Sequence, residues 1–467
     1  MTRAVLSFEA GTLSLTGDLP DPLPPEAAAH LKFDPRTSTW RGRGADYASI
    51  VVALLAAGVP LADRAKGFSP VDLTLQKELV PRPHQRRAFD CWRRAGSRGI
   101  AELPTGAGKT VLAVMAMAAV ARPTLVLVPT IDLLQQWTTV LEGFFGVPVG
   151  MLGGGEHRIE TLTVSTYDSA ALQMEFIGNR FGLLVADECH HLPGPVYRIA
   201  AEMAIAPFRL GLSATPESGD ERDDVLEELL GPVVCRVGIG ELERKYLSGY
   251  RTERIEVPLD ADEEASYRHH HRIYTDFLKR HGIAFRSPAD WGRFLGLCAR
   301  SPEGKQVLTS FFEQRRIARS GRAKVRMVER LLRRHAGERI ILFTADNAGA
   351  YLLGRRFALP VITHRTGVRE RKAFLEGFRS GVFPALVTSK VLNEGVDVPE
   401  AGVGIVLSGS ASVREHVQRL GRILRPAPGK DEAVLYELVG AGTTERSVSR
   451  RRREHEAYRG RRGGSRC

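Results

Sequence analysis

The feature that most constrains this chain is the string Leu103-Pro104-Thr105-Gly106-Ala107-Gly108-Lys109-Thr110, set between the short apolar approach Ile100-Ala101 and a helical run from Val111 to Val120. Glycines at such a bend let backbone N–H groups close around phosphate oxygens, and the helix beyond it adds the positive end of its dipole. The next two positions complete the set: Lys109 is expected to reach the β- and γ-phosphates and the Thr110 hydroxyl to ligate Mg²⁺. Where the strict phosphate-loop pattern has its first glycine, this chain has Leu103. A phosphate turn of this kind works at the C-terminal edge of a parallel sheet, which points to an α/β architecture.

The rest of the chain agrees with that demand twice over. From about Leu79 to Glu241, apolar β-rich runs (Thr124–Val128, Leu162–Val164, Leu183–Ala186) alternate with stretches of helical period. A second series, Ile340–Phe343, Ala385–Val387, Gly404–Leu407 and Val434–Leu438, repeats the pattern from about Arg322. Such alternation predicts parallel sheets covered by helices, hence two α/β domains. Residues 1–75 carry short apolar stretches between turn signals and then a helical run from Asp46 to Ala57, which reads as a small α+β module. Between the two α/β series, Asp260–Ser320 reads as charged, aromatic-rich helices, an insertion. The expected division is an N-terminal module, 1–75, a first α/β domain, 76–242, a linker, strand and helical insertion, 243–321, a second α/β domain, 322–442, and a basic tail, 443–467.

A second chemical signal lies at the end of the run Leu183–Ala186, which delivers Asp187-Glu188-Cys189-His190 to the sheet edge where ligands bind. Asp187 is expected to hold Mg²⁺, and Glu188 to orient and polarise the attacking water. Adjacent acids after a strand are commonly a solvated turn; their pairing with the phosphate turn favours chemistry.

Composition narrows the setting. The longest purely apolar run, Val111–Ala121, is far short of the ~20 residues that span a bilayer. The N-terminus lacks the apolar core of a signal peptide. The five scattered cysteines show no Cys-x-x-Cys spacing, which argues against a disulfide framework, a zinc ribbon or an iron–sulfur cluster and fits a cytoplasmic protein. The net charge is +12, and nine arginines against three glutamates after Gly442 place half of it in the last 25 residues, a pattern suited to a polyanion.

With the phosphate turn and the acidic box in hand, the sequence resembles the superfamily 2 helicases. Arg82-Pro83-His84-Gln85 is similar to the adenine-reading segment, with Gln85 the reader. Val128–Trp137 and Val164–Tyr167 look like strand-gripping motifs, and Ser213-Ala214-Thr215 like the motif coupling hydrolysis to movement. Phe343–Asp346 resembles a nucleic-acid contact motif, Thr388–Pro399 the motif bridging nucleotide and strand, and Gln418–Pro426 the arginine-finger motif.

Within that superfamily the chain most resembles the XPB-type DNA repair helicases, in their short archaeal and bacterial form. The likeness rests on Ile362–Thr366, Gly395–Pro399, Leu407–Ser412 and the helical insertion after Ile255–Leu259. The resemblance implies two RecA-like motor domains, a damage-recognising N-terminal module and a thumb-like insertion. It implies ATP and Mg²⁺, bound by Gln85, Thr105, Gly106, Ala107, Gly108, Lys109, Thr110, Gly395 and Asp397. Lys109, Asp187, Glu188, Gln418, Arg422 and Arg425 carry catalysis, the two arginines reaching the γ-phosphate, and Thr110 and Asp187 hold the metal. Thr130, Thr166, Thr344 and Thr388, with neighbouring backbone N–H groups, contact single-stranded or forked DNA.

Translocation from 3′ to 5′, a nuclease partner and a monomeric state also follow from the resemblance alone. The family's Arg-Glu-Asp element is replaced here by Glu217–Asp224, with the charges in altered order. That segment leaves open a duplex translocase that does not separate strands, and two further readings stay open beside it, an RNA helicase and a nucleotide-gated scaffold.

Several tempting features have plainer readings. His269-His270-His271 is expected to be a solvated helix face, since consecutive helical residues diverge. By resemblance His190 couples nucleotide state to the second domain. Cys189 is expected to be a small packed residue, and most of the insertion's aromatics to be core.

Overall fold

The computed structural model describes residues 3–214, 221–242, 249–285, 288–389, 401–408 and 432–446. The chain divides into two compact units, one spanning Met1–Glu241 and the other beginning at Leu242.

The first unit holds two sheets. In the N-terminal module, Ala4–Glu9 pairs antiparallel with Thr12–Thr16 around the tight turn Ala10-Gly11, both residues at positive φ. Thr39–Arg43 and Leu31–Asp34 extend the sheet on one side, and Leu61–Asp63 joins Ala4–Glu9 in parallel on the other. Alternating inward residues (Leu6, Leu13, Leu15, Leu31) pack on Ile50 and Leu54 of the helix Tyr47–Ala56, giving the module its own core. The module is seated on the neighbouring domain around Met203. A Cβ on Gly11 would lie 2.6 Å from the Met203 sulfur and one on Gly44 2.4 Å from the Met203 carbonyl oxygen, so both positions need glycine for the backbone to approach.

The second sheet of this unit runs Val233–Arg236, Arg98–Glu102, Phe208–Ser213, Leu183–Asp187, Thr124–Val128, Leu162–Thr166, Val149–Gly153, Glu156–Arg158, parallel except at its last pair. Strands such as Thr124–Val128 and Leu183–Asp187 are buried along their whole length, as parallel strands covered on both faces must be. Beneath it lies a buried cation. Arg209 is fully buried and donates to the carbonyl oxygens of Ala206, Ala201, Leu229 and Ala204 at 2.6–3.1 Å, while its own carbonyl accepts from the Trp92 indole at 2.8 Å.

The other unit contains a six-stranded parallel sheet, in the order Gly249–Val257, Glu432–Gly440, Val403–Val406, Ile340–Phe343, Ala385–Thr388, Val361–Ile362. Gly249–Val257 pairs with Glu432–Gly440 over nine positions. The strand expected to belong to the linker and insertion is thus the sheet's own edge strand, and the helices Ala261–Arg280, Pro288–Ala299 and Pro302–Ser320 are inserted after it. Those helices bury Phe277, Phe294, Cys298 and Val307 in a core of their own, with Phe285, Trp291 and Phe312 exposed at its margin.

The histidine run is only partly a solvated face. His270 hydrogen-bonds to Ser310 and His271 to Gln314 on the facing helix, and His271 stacks on Tyr267. The start of the basic tail is anchored as well: Glu445 pairs with the fully buried Lys324, and the Thr444 N–H donates to the Tyr267 hydroxyl.

Candidate active site

Five consecutive strands of the eight-stranded sheet deliver five of the predicted motifs to one edge. In spatial order these are Arg98–Glu102 with the phosphate turn, Phe208–Ser213 with Ser213, Leu183–Asp187 with the acidic pair, Thr124–Val128 leading to Thr130, and Leu162–Thr166 with Thr166. Because all five run parallel, their C-terminal ends converge where an α/β sheet binds ligands.

The phosphate turn is built by its glycines. Gly106 and Gly108 both sit at φ 84°, a region costly for any residue with a Cβ. A Cβ on Gly108 would also lie 2.1 Å from the Gln85 amide nitrogen. Leu103, the departure from the strict pattern, is fully buried, and its N–H extends the ladder by donating to the Ser213 carbonyl at 2.9 Å. His84 and Gln85 side chains both donate to the Ala107 carbonyl at 2.8 Å, and the Gln85 amide oxygen accepts from the Arg82 N–H at 2.9 Å. Gln85 is therefore placed beneath the turn, holding its backbone.

Lys109 opens the helix Lys109–Val120, with Thr110 in its first turn, so the helix N-terminus, two bent glycines and a cation converge. The buried Thr105 hydroxyl has no hydrogen-bond partner among the described residues. A cradle of this kind, with a partnerless hydroxyl in it and carboxylates opposite, fits a metal-bound triphosphate.

Opposite the turn, the Lys109 ammonium lies 2.7 Å from the Glu188 carboxylate, both side chains 12% exposed. Burial works against the lysine charge, but the attraction of Glu188 and Asp187 outweighs it and holds the group above its ordinary value. Burial pushes the Asp187 carboxyl up, against the pull of Lys109. Both Asp187 oxygens are engaged: Oδ2 accepts from the Trp137 indole at 2.8 Å, and Oδ1 from the Glu188 N–H at 3.0 Å. The Asp187 carbonyl accepts from the Tyr167 hydroxyl at 3.0 Å.

Glu188 itself adopts a left-handed conformation (φ 48°, ψ 51°), uncommon for a non-glycine residue and frequent where a site constrains the chain. Next to it the His190 ring nitrogen lies 3.2 Å from the Ser213 hydroxyl and 3.6 Å from Glu188. Cys189 is buried with the core of the sheet.

The other expected contacts divide. Thr130 and Thr166 each cap a helix, accepting from the Leu133 and Ser169 N–H groups. In the second unit Thr344 and Thr388 are fully buried, and their hydroxyls donate to backbone carbonyls, Thr344 to Asp346 and Thr388 to Ser389. As placed, these two hydroxyls fasten strand ends. Gly395, Asp397, Gln418, Arg422 and Arg425, with Thr215 and the first half of the Arg-Glu-Asp counterpart, lie outside the described residues.

Family models match three stretches: the Xeroderma pigmentosum group B helicase damage recognition domain over residues 6–65, the Type III restriction enzyme res subunit over 78–218, and the ERCC3/RAD25/XPB C-terminal helicase over 308–460. A DNA 3'-5' translocase XPB2 of Sulfurisphaera tokodaii is 40% identical over 381 residues, covering 81% of this chain and 86% of that protein. The chain belongs to the XPB family of superfamily 2 helicases.

Longer XPB relatives agree. The DNA 3'-5' helicase XPB of Kineococcus radiotolerans is 30% identical over 397 residues, 81% of this chain and 63% of its own length. Among solved structures, the Hef helicase domain of Pyrococcus furiosus matches with a TM-score of 0.52 at 20% identity, over 80% of this chain and 99% of that one. S. cerevisiae Dbp5 matches at 0.55 and 14% identity, over 80% of this chain and 87% of that one. These likenesses show the fold: two RecA-like domains.

Trp137 and Tyr167 stand inside motifs the sequence supplies, yet nothing there assigns them a partner. Their bonds to Asp187 span 50 and 20 residues and exist only once the strands are ordered.

Proposed function

We infer that this chain is an ATP-dependent DNA helicase or translocase of the XPB type. The observation that carries it is the Lys109–Glu188 pair at 2.7 Å, with the phosphate turn, the acidic pair, Ser213 and two capped helices on one sheet edge. Lys109 neutralises the β/γ-phosphates, the N–H groups of Gly106 to Thr110 hold their oxygens, and Glu188 accepts a proton from the attacking water. Thr110 and Asp187 would hold Mg²⁺, whose charge offsets that of the phosphates. Arg422 and Arg425 are proposed to stabilise charge developing on the γ-phosphate, and Gln418, Gly395 and Asp397 to complete the nucleotide contacts.

Strand engagement is assigned to the N-termini of the helices Ile131–Phe145 and Tyr167–Ile177. The His190–Ser213 contact gives the acidic box a physical link to the motif that couples hydrolysis to movement. Direction from 3′ to 5′ is taken from the names of the relatives. Action as a monomer in the cytoplasm, with a nuclease partner, completes the proposal.

Translocation along duplex DNA without net unwinding is the second reading, favoured by the word translocase in the name of the 40%-identical relative and by the altered Glu217–Asp224 segment. Strand displacement on 3′- and 5′-tailed forks, beside displacement of a triplex third strand, separates the two. A helicase opens the 3′-tailed fork, and a translocase strips the triplex while leaving forks paired. Activity on neither substrate, despite ATP turnover, would contradict both.

A further inference from the structure

We propose that Trp137 and Tyr167 are positioning residues through which the strand-engaging helices fix the acid Asp187. The proposal rests on the reading of this chain as a DNA-driven ATPase and names a linkage within its first motor domain.

Two helices begin at capping threonines and end their influence on one residue. Thr130 caps Ile131–Phe145, and two turns along that helix Trp137 is 2% exposed and donates its indole N–H to Asp187 Oδ2 at 2.8 Å. Thr166 caps Tyr167–Ile177, and Tyr167, 1% exposed at its first position, donates its hydroxyl to the Asp187 carbonyl at 3.0 Å. The positive dipole end at each N-terminus suits a phosphate of the bound strand. An α-helix is stiff over two turns, so a displacement at Thr130 is carried to the indole.

The target atoms are different and complementary. Trp137 fixes the carboxylate from one side while the Glu188 N–H fixes the other oxygen, which sets the rotation of the group. Tyr167 fixes the backbone of the same residue. Its neighbour Glu188 holds a left-handed conformation, and a small shift of the Asp187 peptide redirects the Glu188 side chain and its contact with Lys109. A donor to a metal-holding carboxylate commonly changes metal affinity or activity by about 10–100-fold when removed. A phenylalanine at position 167 would fill nearly the same space and donate nothing, so packing alone does not call for the phenol.

The test is a coupling measurement on the full chain. Affinity for a fluorescein-labelled single strand is read by anisotropy with and without a non-hydrolysable ATP analogue and Mg²⁺, for wild type, Trp137→Phe and Tyr167→Phe. Linkage requires that nucleotide change strand affinity by the factor by which the strand changes nucleotide affinity, and ~5–150-fold is the usual range. The expected result, read at saturating nucleotide, is a wild-type factor of at least about fivefold that collapses to within about twofold in each variant, while the strand without nucleotide binds within about twofold of wild type. Tyr167→Phe deletes a single hydroxyl and keeps the test decisive should Trp137→Phe fail to fold. Variants that retain the wild-type factor, or a wild type with no factor, would overturn the linkage. A wild type that binds no DNA at all would instead overturn the functional reading beneath it.

Discussion

At the scale of single residues, the chemistry of the site comes from charges placed where burial makes them consequential. Glu188 is assigned the proton of the attacking water, so Glu188→Gln, which keeps shape and loses charge, is expected to lower ATP turnover by about 10²–10⁴-fold while nucleotide still binds. Phosphate release beside equilibrium binding of a fluorescent nucleotide checks it; turnover within a factor of a few of wild type would sink the assignment. Lys109, Asp187 and Glu188 were legible in the sequence because their chemistry is carried by local strings. Arg209 was not, being one arginine among many. Its role arises from carbonyls of Ala201, Ala204, Ala206 and Leu229, brought around it by a helix, a loop and a further helix. Arg209→Met leaves those acceptors buried without a donor and should destabilise the domain by at least about 2–4 kcal/mol. A urea or thermal melt unchanged from wild type would refute that.

The elements that position the site follow from hydrophobic pattern more directly than their pairing does. Continuously apolar runs such as Thr124–Val128 and Ile340–Phe343 identify buried parallel strands, and each is found where its pattern puts it. Gly249–Val257 escaped the second domain because its partner, Glu432–Gly440, is far along the chain and an insertion separates them. The phosphate turn is the sharpest element-level constraint, since Gly108 needs both a positive φ and room for the Gln85 amide. Gly108→Ala should therefore weaken ATP binding by at least about tenfold, about 1.4 kcal/mol, with the fold retained. Titration of a fluorescent nucleotide with circular dichroism as control checks this; unchanged affinity would mean the turn tolerates a side chain it has no space for. The histidine run shows the opposite case, in which residues expected at a solvated face found partners at Ser310 and Gln314 on a helix that periodicity alone cannot orient.

For the molecule as a whole, two parallel-sheet motors, a small N-terminal module and an inserted helical element were readable from length and alternation. The seating of the N-terminal module was not, because it depends on glycines at 11 and 44 meeting Met203, contacts between segments that share no sequence signal. The central claim is that the sheet edge carrying Lys109 and Glu188 turns over ATP in response to DNA. Steady-state ATPase activity of the full chain, with no nucleic acid, single-stranded DNA, duplex DNA and single-stranded RNA at low and moderate salt, tests it against Lys109→Ala. The expected result is turnover stimulated by DNA, weaker at higher salt as phosphate contacts require, and reduced by about 10²–10³-fold on removal of the Lys109 ammonium. Stimulation by RNA alone, or turnover indifferent to nucleic acid and to Lys109, would contradict it.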